Sequence, residues 1–343
     1  MKILFLRESE IKNLNPEVIE TKGFGATETC FICLAEELSK TNDVKVICPC
    51  LVRKMYGNVE YIPLSSYTPV KRLLDSFKPD AFVVVGNPSV LFHHVTKNVR
   101  AIFWQHNHPQ EMNNFPIRDL LKREIPIVFP SKESQEYAKK IYCSEKIYGI
   151  NNGVRDEFYK DNKVERIKNK VVYIGALVKS KGVLELLKVS KKLYDFSFNI
   201  CGSFDMHTGS IDNEFFRICK ENSGENVSFL GSLNKHDVFE QLVTSELCVV
   251  NPLVSNKEVF CVCALEAMAT GTPVLAGGNS LIDSIISHGG ISYTKKLDEC
   301  IIDIMSDVEK KKQLGHCGKE FAKNFRWSLI ALEWQRFLET QNV

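Results

Sequence analysis

In the stretch KEVFCVCALEAMATGTPVL, residues 257–275, two glutamates, Glu258 and Glu266, bracket seven mostly apolar residues. Were residues 258–270 one helix, the two carboxylates would lie about 12 Å apart along its axis and be turned by about 80°. They could not touch, and that spacing is too wide for a glycosidase dyad. It suits instead an extended ligand that offers hydroxyl groups at two places, as a nucleoside-diphosphate sugar does on its ribose and on its hexose. A helix starting near Phe260 would aim free backbone N–H groups and its positive dipole end at a diphosphate between them. The competing reading is structural: Glu258 as a helix N-terminal charge and Glu266 as a salt-bridge partner.

Two other residues stand where chemistry is expected. Lys181, in Lys-Ser-Lys-Gly, follows a glycine-bearing strand end and precedes a helix start, a position suited to holding an anion. His106 ends the strand-like run AIFWQH, and strand ends of open α/β sheets border ligand clefts. Trp104, two residues earlier, reads as core. His93-His94 and the His-x-His of His106 and His108 have no carboxylate or Cys at ligand spacing, so no metal is assigned to them.

These residues need strand–helix repeats to position them. Short Val-, Ile- and Phe-rich runs recur at 2–6, 44–48, 81–85, 101–104, 125–129 and 146–150, with helix-like segments at 26–40 and 131–142. Runs without polar alternation are buried on both faces, which predicts a parallel, doubly wound sheet. The charged stretch KDNKVERIKNK (160–170) reads as a linker. The pattern then restarts at 171–176, 196–202, 227–231, 247–252 and 273–278, so two Rossmann-like halves in tandem are expected, with ligand chemistry in the cleft between them. The stripe in WSLIALEWQRFLET (327–340) predicts a helix packed in the crease between the halves.

Composition narrows the class. The formal charge of +2 provides no overall field for nucleic acid. Twelve cysteines scattered through apolar runs lack a disulfide framework and favour a reducing, cytoplasmic location. The Cys30-x-x-Cys33 pair falls within a helix-like segment and is read as core packing. No run of residues is long and apolar enough to span a bilayer. Arg118, Lys122, Arg123 and the run Lys310-Lys311-Lys312 are read as solvated helix faces, with peripheral membrane contact left open. The dinucleotide fingerprint, the P-loop and any Asp-x-Asp pair are all missing. That counts against a dehydrogenase, a P-loop enzyme and a divalent-metal sugar-nucleotide site, so no cofactor or metal is expected.

The segment NPLVSNKEVFCVCALEAMATGTPVL resembles the donor-site signature of glycosyltransferase family 4, the retaining enzymes of the GT-B fold. GFGATETCFICLAEELSK is similar to that family's glycine loop and following helix, FWQH to a strand ending in a sugar-contacting His, and INNGV to the Asn-Gly-Val before the interdomain linker. VVYIGALVKSKGVLELL is similar to the strand and lysine loop opening the second domain, and FRWSLIALEW to the C-terminal crossover helix. The resemblance implies an α/β GT-B fold of two Rossmann-like domains: an N-terminal acceptor-side domain over 1–160, to which helix 325–343 returns, and a donor-binding domain over 165–324.

It further implies a retaining, metal-independent transfer of a hexose from GDP-mannose or a UDP-hexose such as UDP-glucose to a glycan or other hydroxyl acceptor, by a monomer or homodimer. Carried over by position, Glu266 binds ribose hydroxyls and Glu258 hexose hydroxyls, while the N–H groups of Phe260, Cys261 and Val262 hold the diphosphate. Lys181 neutralises the leaving phosphate, Gly25 lets backbone approach, and His106 contacts the transferred sugar; domain closure would assemble these groups. Two positions depart from the pattern. Ala176 stands where an arginine is expected on the diphosphate, a loss that Lys179 could offset, and Cys261 stands where glycine often follows Phe. The departure at Ala176 motivates an alternative, a nucleotide-sugar-binding protein without turnover.

Overall fold

The computed structural model describes residues 1–340 except 24, 66–67, 94–98, 111–116, 162 and 205–212. The chain divides into two compact units. The first comprises 1–19, 26–153 and 327–343; the second comprises 20–25 and 154–326.

The first unit is built on β1 (Lys2–Arg7), β2 (Asp43–Cys48), β3 (Lys54–Tyr56), β4 (Val59–Pro63), β5 (Ala81–Val85), β6 (Arg100–Trp104), β7 (Ile127–Phe129) and β8 (Ile147–Gly149). Their order is β3-β4-β2-β1-β5-β6-β7-β8, parallel except for the β3–β4 pair. The five residues of β5, AFVVV, are all buried, because helices on both faces of a parallel sheet leave no solvent side. Helix Ala26–Leu38 buries both Cys30 and Cys33, in keeping with their reading as core. Helix Lys132–Tyr142 is started by Ser131, whose side chain accepts the Ser134 N–H at 3.0 Å.

The C-terminal stripe forms helix Trp327–Thr340 and belongs to the first unit. Its buried face sets Trp334 edge-on against Trp104, with ring centroids 5.1 Å apart, and Phe337 against Tyr148. Trp104 is fully buried, so it is a core residue. Gly153, in the Asn-Gly-Val segment, is where Trp327 seats: a Cβ there would come within 2.4 Å of the indole. Two motifs far apart in sequence are thus one packing unit.

The second unit carries β9 (Lys170–Ile174), β10 (Ser197–Cys201), β11 (Val227–Gly231), β12 (Leu247–Val250), β13 (Val274–Gly277) and β14 (Gly290–Tyr293). All pairings are parallel, in the order β11-β10-β9-β12-β13-β14. The strand order reverses between β9 and β12. The loops leaving these two strands therefore flank a topological switch point, where open α/β sheets bind ligands. The segment 20–25 packs on this unit: Ser232 donates to the Gly23 carbonyl at 3.2 Å. A Cβ on Gly23 would meet the Leu233 carbonyl oxygen at 2.3 Å.

Among the described residues no helix is long and apolar enough to cross a membrane.

Candidate functional site

The Lys181 loop and the Glu258 loop leave β9 and β12, on either side of the switch point. After β12, Asn251 takes a left-handed φ of 42°, which turns the chain sharply off the sheet. Asn256 then fixes the loop: its side-chain amide donates to the carbonyls of Leu253 at 2.9 Å, Gly277 at 3.2 Å and Asn251 at 3.3 Å. Its Oδ1 accepts the Glu258 N–H at 3.0 Å. One side chain thus bonds four backbone groups of a buried turn, of which the Asn251 carbonyl also accepts the Gly277 N–H at 3.1 Å.

Glu258 is mostly buried and forms an ion pair with Lys181; Asn251 donates to the same carboxylate oxygen at 3.0 Å. Burial works against charge on Lys181, but the Glu258 carboxylate outweighs it and raises the lysine above its ordinary value. The lysine is therefore a fixed cation. Gly182, next in sequence, has φ 75°, and a Cβ there would sit 2.4 Å from the Leu253 nitrogen. Only glycine lets the two loops touch.

The helix following Glu258 runs Val262–Ala269, two residues later than expected. Phe260 and Cys261 are buried and lie outside the helix, Cys261 in an extended conformation, and Glu258 is held by Asn256 in the preceding loop, so only Glu266 of the two glutamates is helical. Cys261 is the N-cap and makes no side-chain capping hydrogen bond, unlike Ser131 and Asn234 at other helix starts. The first-turn N–H groups, with no side-chain oxygen of the N-cap residue on them, form the positive end of this helix. Burial pushes the Cys261 thiol up to about 12, so it stays neutral there.

Glu266 is half-buried, and burial raises it to about 8, with Glu157 adding to the rise and Arg155 opposing it. Among the described residues no donor lies within hydrogen-bond distance of its carboxylate, whereas Glu258 is occupied. Arg155, Glu20, Glu157 and Lys235 form a charged cluster in this unit: Arg155 pairs with Glu20 and lies 3.7 Å from Glu157, and Lys235 pairs with both acids. Sequence reading missed Arg155, Asn251 and Asn256. A basic residue directly after Asn-Gly-Val was the one available signal, for Arg155.

The position expected to hold an arginine, Ala176, is exposed, and its carbonyl accepts the Tyr173 hydroxyl at 3.1 Å. Lys179, which could offset that loss, is exposed, with its ammonium 5.9 Å from the centroid of the Phe215 ring.

In the first unit His106 follows β6. Its ring packs on Trp104 at 4.6 Å, and its Nε2 is buried without a partner. Burial, reinforced by the Arg7 cation, lowers it to about 3, so the imidazole is neutral at any physiological pH. Arg7, at the end of β1, pairs with Glu28 at 2.6 Å, and the absence of a side chain at Gly86 leaves room for its guanidinium. His108 is buried and its Nδ1 accepts the Gln110 N–H at 3.3 Å. The His93 side chain and His94 lie outside the described residues. Among the described residues no group of three or more His, Cys, Asp or Glu is placed to share a metal ion.

Two Rossmann-like units in tandem, the second with a lysine and an open helix start at its switch point, define a protein of the GT-B class. Residues 154–321 match the family described as glycosyl transferases group 1. An uncharacterized glycosyltransferase of Methanocaldococcus jannaschii is 29% identical over 196 residues, covering 55% of this chain and 52% of the relative. The match thus spans about half the length of that relative. Sucrose-phosphate synthase from Thermosynechococcus elongatus has the same fold, with a TM-score of 0.80 at 16% identity over 99% of both chains. HepE from Anabaena, solved with UDP and glucose, gives a TM-score of 0.75 at 16% identity, again over 99% of both chains.

Proposed function

We propose that the protein is a retaining glycosyltransferase that moves a hexose from a nucleoside-diphosphate sugar to a hydroxyl acceptor without a metal ion. The carrying observation is the Lys181–Glu258 pair beside an uncapped helix start at the switch point of the second unit. A UDP-hexose is the favoured donor because a protein of the same fold, HepE, was solved with UDP and glucose. GDP-mannose is the competing donor.

In this reading the bond between the anomeric carbon and the β-phosphate oxygen breaks, and the electron pair leaves with the phosphate. Lys181 and the N–H groups of Phe260, Cys261 and Val262 stabilise that charge where it accumulates, the role a divalent cation has in other sugar-nucleotide enzymes. Glu258 exchanges part of its bond to Lys181 for hexose hydroxyls, and Glu266, which has no donor of its own, accepts the ribose hydroxyls. The acceptor oxygen attacks the same face as the departing phosphate, which takes up the acceptor proton. His106, being uncharged, offers a hydrogen bond to the transferred sugar without adding charge. The second unit is the donor-binding domain and the first the acceptor domain. With Ala176 in place of a cation, the diphosphate is held by Lys181 and backbone alone, and this supports the alternative reading, a binder without turnover.

The test is a panel of UDP- and GDP-hexoses, following both binding by calorimetry and release of free nucleotide with simple glycan and lipid acceptors. Binding of a UDP-hexose with release that needs an acceptor is expected. Tight binding with no transfer to any acceptor would establish the binder instead, and no binding to any sugar nucleotide would remove both readings.

A further inference from the structure

We propose a second anion site on the second unit, for a phosphate-bearing ligand, at the end of the sheet opposite the donor loops. A cavity of about 400 Å³ lies there, lined by Arg166, Lys311, Lys312, Lys319 and His316 with one carboxylate, Glu246. That volume is in the range of small-molecule sites.

Its place in the sheet separates it from Lys181 and Glu258. Glu246 and Pro273 immediately precede β12 and β13 and Arg166 lies in the segment leading into β9, whereas Lys181, Asn251 and Glu258 follow β9 and β12. These parallel strands are 5, 4 and 4 residues long. At about 3.3 Å per residue the two sites are ~15 Å apart through the sheet. One ligand bound at the donor loops does not reach the other end.

The charge balance points to an anion. Among the described residues Arg166 donates only to uncharged groups: the carbonyls of Leu242 at 3.1 Å, Ser245, and Thr270 at 3.2 Å, and the Thr272 hydroxyl at 2.8 Å. Burial pulls Arg166 below its ordinary value, with Glu246 opposing. Glu246 is already committed to Lys311 at 2.5 Å and to the Asn169 N–H at 2.7 Å. Two enclosed cations therefore share one carboxylate.

The rim adds Lys312 and Lys319, whose partners Glu309 and Asp161 are 82% and 96% exposed. Such solvated pairs are worth little and yield readily to a phosphate. Gly315 lets its helix close on the Gly271 turn beside the cavity: a Cβ there would come within 2.4 Å of the Gly271 carbonyl oxygen. The run Lys310-Lys311-Lys312, expected to be a solvated face, is thus corrected at Lys311, whose side chain is only 14% exposed and faces the cavity. The phosphate has two sources, a soluble phosphorylated metabolite or an anionic lipid headgroup.

The probes are inorganic pyrophosphate and vesicles of phosphatidic acid or phosphatidylcholine. Binding is measured at constant ionic strength with the wild type, Lys181→Ala, and the double variant Lys312→Glu/Lys319→Glu. Circular dichroism checks that each variant is folded, and UDP-glucose binding checks that the double variant keeps its donor loops. Pyrophosphate affinity retained in Lys181→Ala and weakened at least tenfold in the double variant is expected. Cosedimentation with phosphatidic acid alone, lost in the double variant, would identify the headgroup as the source; pyrophosphate binding without cosedimentation would identify a soluble ligand. Binding that disappears with Lys181 and survives the double substitution, or no binding of either probe, overturns the site whatever the fate of the donor reading.

Discussion

Glu266 offers a prediction in which stability and binding move in opposite directions with pH. Its carboxyl holds a proton in the folded protein up to about pH 8, against an ordinary value of 4.5. Between those values the folded state carries the extra proton, so stability falls as pH rises through the window and the penalty is complete above it. The ceiling on that penalty is ~5 kcal/mol at about 1.4 kcal/mol per pH unit. Partial exposure of the side chain to solvent reduces it to ~2 kcal/mol. Glu266→Gln removes the ionisable group, so the variant should be more stable than the wild type at pH 8.5 by that amount and about equal to it at pH 5, read from urea midpoints.

Ligand binding reverses the sign. If ribose hydroxyls donate to the carboxylate, binding favours the ionised form and expels the proton. Wild-type affinity for UDP-glucose, whose own diphosphate does not titrate in this range, should rise ~100-fold from pH 6 to pH 8.5. Calorimetry in buffers of different ionisation enthalpy should show close to one proton released per donor bound at pH 7. In Glu266→Gln both signals should vanish and affinity should be flat. Proton uptake, a flat wild-type profile, or an unchanged profile in the variant would refute the assignment of Glu266 to the ribose.

Three further outcomes follow from the loops at the switch point. Lys181→Met should lower turnover by ~10²–10³ while changing donor KM far less, checked by steady-state kinetics. Gly182→Ala places a methyl against the Leu253 backbone in a left-handed conformation; it should cost ~2 kcal/mol or more in stability and reduce turnover as well, measured by denaturation and the same assay. Asn256→Ala removes the side-chain bonds to the Leu253 and Gly277 carbonyls and to the Glu258 N–H and should destabilise the second unit by ~2–4 kcal/mol; an effect below ~0.5 kcal/mol would show that the loop does not depend on that side chain.

The fold was legible where burial imposes a simple pattern. Continuous apolar runs marked β1, β5, β9 and β12 because strands covered on both faces need nothing else, and the stripe from Trp327 to Leu338 marked the last helix. The β3–β4 hairpin was missed because its outer strand is exposed, with Met55 and Lys54 on a sheet edge. The strand β14 was missed because GISY is four residues long and only its ends are buried. At the site, residue type and spacing singled out Glu258, Glu266 and Lys181. They did not reveal that Lys181 and Glu258, 77 positions apart, would be paired, nor that the helix would begin after Cys261. Both results depend on Asn256, which reaches the Gly277 carbonyl 21 residues away, a tertiary contact that no local pattern encodes. His106 was found from its place at a strand end, but its neutral state comes from tertiary burial, reinforced by Arg7 on a strand nearly a hundred residues earlier.

The contact of Gly182 with Leu253 bears on any attempt to redesign the protein. Because the lysine turn rests directly on the neighbouring main chain, with no side chain to absorb a change of length, neither loop has slack of its own. Grafting a relative's donor preference onto this scaffold would require transplanting residues 179–182 and 251–261 together as one cassette; moving either half alone would misplace the cation.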